Sequence, residues 1–318
     1  MFSTEAVTEN GFEKLVLRDN TSETFVEILP SCGGILHGFN VLHNGEWLNL
    51  VDHYEDQTDF EKNVERNGFK SCKLSPFACR IRNAQYSFAG TEYTIRKFVL
   101  SGNAIHGLLY DAAFKITSQF ADEDVAGVFL QYEYRAQDEG YPFAYDCEVR
   151  YELRKDNLLS IHTEIINKDK GLIPMQDGWH PYFNFGNKID DLQLEFQAKQ
   201  KFEFDKDLVP TGVMLATEEF GSIQKIGATS LDNCFVLNFA ECQPLCVLRD
   251  PEKNIQLEIY PGKEYPYLQV YTPPHRNSIA LENLSAPPDA FNNNMALVIL
   301  EPGEKKTFST AYKLNSLI

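Results

Sequence analysis

Apolar and polar residues alternate with a period of two along most of the chain. Cys147, Val149, Tyr151 and Leu153 fall on one face of a strand, and Glu148, Arg150 and Glu152 on the other. The same pattern, rich in β-branched and aromatic residues, predicts strands over Phe25–Leu29, Tyr93–Leu100, Val128–Tyr134, Leu158–Ile166, Leu192–Phe196, Phe235–Phe239, Ile255–Tyr260, Tyr267–Thr272, Met295–Leu300 and Lys306–Leu314. Such alternation marks strands with one buried and one wet face, the habit of antiparallel sheets. Turn signals separate them at Gly33-Gly34, Asp156-Asn157 and Glu301-Pro302-Gly303. A helix is expected only over Asp59–Asn67, stopping at Gly68. No amphipathic stretch is long enough for a crossover helix, which argues against a parallel α/β sheet. The expectation is an all-β fold: a large antiparallel β-sandwich with few short helices, one domain over residues 1–318.

Composition narrows the partners. A net charge of −17 disfavours nucleic acid and anionic membrane surfaces, both of which attract basic proteins. No apolar run approaches the ~18–20 residues of a membrane span. Met1–Asn10 lacks the basic-then-apolar order of a signal peptide. The seven cysteines form no Cys-x-x-Cys pair, so a reduced, cytoplasmic protein with free thiols is expected.

Motifs for nucleotide, metal and serine-hydrolase chemistry are missing. There is no Walker loop, no Gly-x-Gly-x-x-Gly, no Gly-x-Ser-x-Gly and no His-Glu-x-x-His, and the seven histidines show no metal-ligand spacing. No cofactor and no metal are therefore expected. What remains is a set of ionisable residues in apolar company. His180 lies in Gly178–Phe185, among Trp179, Tyr182, Phe183 and Phe185, and Pro181 pushes its backbone into extended geometry. Arg80, His106, Asp232 and Glu282 sit within apolar runs of their own. Singly, each reads as the outward-facing residue of a strand, because charged groups are rarely buried. Glu282 departs furthest from that reading, since a Pro-Pro loop opens just after it, and strand ends beside loops carry function.

In order along the chain stand Pro-Phe-x-x-Arg-Ile (76–81), Ile-His-Gly (105–107), His-Pro-Tyr-Phe-Asn (180–184), Leu-Asp-Asn-x-Phe (231–235), Leu-Gln-Val-Tyr-Thr (268–272) and Leu-Glu followed by Pro-Asp-Ala (281–290). With this series the chain resembles the aldose 1-epimerases of the galactose mutarotase-like superfamily, from about Phe25 to Tyr312. The resemblance implies the superfamily's sandwich, a small-molecule sugar as substrate and no cofactor. By position it implies Glu282 as general base and His180 as general acid. It implies His106 near the sugar ring oxygen, Arg80 and Asp232 on the hydroxyls, and Gln269 and Tyr271 beside them. The implied activity interconverts the α and β anomers of free hexoses such as galactose or glucose. One alternative is a hexose-6-phosphate 1-epimerase, for which Arg80, Arg82, Lys73 and Lys97 are the candidate phosphate ligands. Another is a non-catalytic sugar-binding protein of the same fold. Leu108, where many members carry a second glycine, and Phe143 place the chain in a divergent branch.

Overall fold

In the computed structural model, which describes residues 1–317, the alternating segments pair side by side in antiparallel ladders. The largest sheet has nine strands, in the order Lys115–Ala121, Val125–Tyr134, Tyr145–Arg154, Leu158–Asn167, Lys305–Ser316, Ile255–Pro261, Cys246–Asp250, Gln193–Phe196, Gln224–Lys225. Facing it is an eight-stranded sheet. Its order is Pro210–Ala216, Ala198–Phe204, Asp232–Leu237, Tyr267–Tyr271, Ile279–Leu284, Gly178–Trp179, Lys73–Leu74, with Tyr182–Phe183 also paired to Ile279–Leu284. A five-stranded meander, Phe2–Glu9 to Glu46–Asn49, packs beside the first edge of the large sheet.

The inner faces of the two main sheets make one apolar core. Tyr151, Ile161 and Tyr312 of one sheet meet Trp179, Phe183, Phe235, Leu268, Val270 and Leu281 of the other. Ring pairs bridge the layers: Phe196–Phe235 at 4.5 Å, Phe183–Tyr312 at 5.2 Å and Tyr151–Trp179 at 6.0 Å between centroids. Such pairs add about 0.5–1.5 kcal/mol each beyond the area they bury. Of the aromatics around His180, Trp179, Phe183 and Phe185 are therefore core, and Tyr182 points the other way.

Several sequence expectations change. The segment Tyr93–Leu100 splits into Thr91–Thr94 and Val99–Leu100, because the amides of Arg96 and Lys97 turn aside to donate to Asp138 Oδ2 at 3.2 and 3.0 Å. Only Val298–Leu300 survives of Met295–Leu300, since Asn294 and Ala296 take φ of 59° and 52°. The helix runs over Gln57–Asn63, because Asp56 caps it by accepting from the Asp59 amide. The alternation rule also missed strands. Lys115–Ala121 and Pro210–Ala216 are edge strands exposed along nearly their whole length, and Ile35–His43 is buried on both faces over most of its own. Neither environment imposes a period of two. Among the described residues, no helix is long and apolar enough to cross a membrane.

Candidate active site

The alternation that fills the core also builds the site on the sheet's other face. Ile279 and Leu281 point inward, so Glu282 between Leu281 and Asn283 points away from the core. Leu268 and Val270 point inward, so Gln269 and Tyr271 point away. The register aligns them: Gln269 stands opposite Glu282, and Tyr271 stands opposite both Ala280 and Asp232 on its two flanks. Gln269 Nε2 donates to Asp232 Oδ1 at 2.7 Å. Four residues from three adjacent strands thus share one patch.

His180 enters from the side. Its N–H donates to the Cys72 carbonyl at 3.1 Å and its carbonyl accepts from Ser71 N–H at 2.9 Å, which fixes the extended backbone before Pro181. Its Nε2 lies 3.4 Å from Glu282 Oε1. His106 packs edge-on to it, with ring centroids 4.8 Å apart. The two remaining motifs meet here as well. Ile105 pairs with Arg80 across a short ladder, and the His106 amide donates to the Cys79 carbonyl at 2.9 Å. His106 turns at φ 61°, and Gly107 follows at φ 80°. A Cβ on Gly107 would lie 2.4 Å from the Ser75 carbonyl oxygen, so only glycine allows this chain approach.

All seven residues singled out by sequence therefore fall in one region: His180, Glu282 and His106 at the centre, Asp232, Gln269 and Tyr271 on the adjoining strands, and Arg80 on the ladder that carries His106. Arg80 acts electrostatically on Asp232, Glu282 and His106.

Burial dominates the electrostatics. Glu282 is 2% and His180 4% exposed. Desolvation drives the Glu282 carboxyl well above the usual carboxylate range; the Asp232 charge adds to the shift and Arg80 opposes it. Desolvation pushes the His180 imidazole down to about 4. His106 is likewise driven well down, by burial and then by His180 and Arg80. Burial thus favours the neutral form of each member of the Glu282–His180 pair. Four polar atoms here have no partner within the protein: Glu282 Oε2, His180 Nδ1, His106 Nδ1 and Gln269 Oε1. Leaving a buried polar atom unpaired costs about 1–3 kcal/mol, so the patch offers hydrogen bonds that a polar ligand could complete. The donor atoms of His106, His180 and Glu282 lie within 4.8 Å of one another, and imidazole with carboxylate is also a set that could take a divalent cation.

Three of the four cations proposed for a phosphate are elsewhere. Lys73 is fully buried, 2.5 Å from Asp177 Oδ1. Arg82 is paired with Asp205 at 2.5 Å, and Lys97 with Asp111. A charged residue beside apolar neighbours in sequence need not face the same way as Arg80. Sequence reasoning named Tyr182 only as a neighbour of His180 and gave it no site role; its ring stacks on His180 at 4.9 Å. The signal was available, since two residues apart on an extended chain share a face.

A two-layer antiparallel sandwich of this strand content is the galactose mutarotase-like class of fold. Within it the chain belongs to the aldose 1-epimerase family, whose model matches residues 16–313. It is 29% identical over 240 residues to YihR, an uncharacterised protein of Escherichia coli K12, covering 73% of this chain and 74% of that one. It is 23% identical over 274 residues to an aldose 1-epimerase of Streptococcus thermophilus, covering 80% and 76%. A galactose mutarotase-like protein from Clostridium acetobutylicum superposes with a TM-score of 0.86 at 17% identity, over 100% of this chain and 99% of that one. The family is one of isomerases acting on sugars.

Proposed function

We propose that the protein interconverts the α and β anomers of free hexoses of the galactose or glucose type. The observation that carries the reading is the Glu282–His180 pair, 3.4 Å apart and buried together. Ring opening needs a proton taken from the C1 hydroxyl and another given to the ring oxygen. The Glu282 carboxylate, which Arg80 pulls back toward its ionised form, takes the first, and the His180 imidazolium gives the second. Rotation about C1–C2 presents the other face of the aldehyde, and the pair runs in reverse to close the ring. The proton count of the pair is the same before and after, and no electron moves. Arg80 and Asp232 hold the hydroxyls, and His106 and Gln269 offer the sugar their unpartnered polar atoms. The ring of Tyr271 borders the sugar.

The test is polarimetric. Optical rotation of freshly dissolved α-galactose or α-glucose should decay faster with the protein than without it. An unchanged decay for all common hexoses and their 6-phosphates overturns the reading.

The pH profile follows from the two shifts. A depressed imidazole gains its proton only in acid, and a raised carboxyl loses its own only well above the usual carboxylate range. The singly protonated pair therefore persists across a broad window. We expect kcat/KM to be bell-shaped, with an acid limb near 4 and an alkaline limb well above the ordinary carboxylate range. A profile flat through both limbs counts against this pair.

A further inference from the structure

Beside the site lies a cleft of about 880 Å³ whose walls include Tyr182 and Tyr271. Its size is that of a ligand pocket, typically ~300–1,000 Å³. These two tyrosines belong to both regions. Tyr182 stacks on His180, and its ring stands edge-on to Tyr271 at 6.5 Å. The cleft's charge is unlike that of the chain. Arg66, Lys70 and Lys188 line it against one carboxylate, Asp52, whereas the whole chain carries −17.

That carboxylate is already engaged. Lys70 Nζ donates to Asp52 Oδ1 at 2.8 Å, and the Ser278 hydroxyl donates to Oδ2 at 3.0 Å. Lys188 Nζ donates only to neutral acceptors, the His275 carbonyl at 2.8 Å and Asn277 Oδ1 at 2.5 Å. Arg66 is exposed at the wall, and among the described residues its guanidinium has no acidic partner. Two full positive charges are thus uncompensated in one concavity.

The loop that carries two of these cations is tied to the catalytic histidine. Gly68 takes φ 82°, and a Cβ there would lie 2.5 Å from the Tyr182 hydroxyl, so glycine lets the loop close onto that ring. Three residues on, the Ser71 amide donates to the His180 carbonyl. Arg66 and Lys70 therefore sit at a set distance from the group that protonates the ring oxygen.

Sugar connectivity gives the direction. The ring oxygen is bonded to C1 and C5, and C6 hangs on C5. With C1 facing Glu282 and the ring oxygen facing His180, C6 leads away from Glu282 and past His180, the ring on which Tyr182 stacks. We infer that the cleft formed by Arg66, Lys70 and Lys188 is a subsite for an oxyanion carried at C6, so that the preferred substrate is an anionic hexose: a phosphate, sulfate, sulfonate or carboxylate derivative. This rests on the proposed mutarotation and specifies its substrate class. Arginine grips such a group through paired N–H donors, and lysine meets it as a point charge.

The experiment compares glucose, glucose 6-phosphate, glucose 6-sulfate, 6-deoxyglucose 6-sulfonate and glucuronate by anomer-exchange NMR, with calorimetric binding of the same compounds. The expected result is a kcat/KM at least tenfold higher for one or more of the anionic sugars than for glucose, falling as salt rises. In the Arg66→Ala/Lys188→Ala variant the ratio of the two kcat/KM values should drop by tenfold or more, mainly through KM. The phosphate, sulfate, sulfonate and carboxylate arms separate the sources of the charge. Equal kcat/KM for neutral and anionic sugars, or a ratio unmoved by the double variant, overturns the subsite. Absence of exchange on every sugar, with anionic sugars still binding tenfold tighter than glucose and losing that advantage in the variant, upholds the subsite and removes the mutarotation.

Discussion

Replacing Glu282 by Gln is expected to lower kcat for anomer interconversion by about 10²–10⁴-fold, the usual weight of a general base. The trace should then approach the spontaneous one. Sugar binding should persist, because the amide keeps the size of the side chain and a carbonyl oxygen facing the hydroxyls. The variant should melt no lower than the parent. Glu282 is buried at the strand centre and its carboxyl is driven upward by desolvation, so its ionised form costs stability that a neutral amide does not. Activity and stability thus move in opposite directions. Polarimetry, sugar binding and a melting curve on one sample separate the outcomes. Loss of activity with a fall in melting temperature would mark a structural role, and activity within tenfold of the parent would place the base elsewhere.

The largest effect on stability is expected behind the site. Lys73 and Asp177 are both fully buried; Lys73 Nζ also donates to the Gly178 carbonyl at 3.1 Å and lies 4.5 Å from the centre of the Trp179 ring. Tyr265 Oη donates to the same Asp177 oxygen at 2.6 Å. Removing one member of a buried pair strands the other charge, at about 3–5 kcal/mol. Lys73→Met should therefore lower the melting temperature by roughly 5–8 °C for a chain of this length. Pairing it with Asp177→Asn should recover most of the loss, since a buried pair replaced as a unit is often neutral. The sign with pH is also fixed. Burial already raises the Asp177 carboxyl, and loss of Lys73 raises it further. A folded-state value above the unfolded one favours folding in acid and is lost as pH rises, so the variant's deficit should shrink toward low pH. A deficit that grows as pH falls, or a double variant no better than the single, would contradict this account.

The sequence was most legible where one physical demand acted alone. Tyr145–Arg154 faces the core on one side, and its alternation read true. Pro210–Ala216 faces solvent on both sides and Ile35–His43 faces protein on most of both, and neither left a period to read. The centre of the site showed itself as charge in apolar runs, a pattern that burial of Glu282 and His180 explains. Resemblance, not spacing, linked these residues, because their meeting depends on a register between strands that adjoin in space but not in sequence. The cationic cleft stayed hidden for another reason. Arg66, Lys70 and Lys188 come from two loops and lie in ordinary polar sequence, where a lysine or arginine carries no mark of what it faces.

The strand order of the large sheet bears on how the chain is made. Lys305–Ser316 lies in its middle, bonded to Leu158–Asn167 on one side and Ile255–Pro261 on the other. During synthesis every other strand of that sheet leaves the ribosome first. Until the central one emerges, the nascent chain carries two half-sheets with raw inner edges and no seam to join them. Unpaired edges of this kind recruit foreign strands. The large sheet thus closes last at its centre, and its two halves are joined only by a strand that follows all the others in the chain.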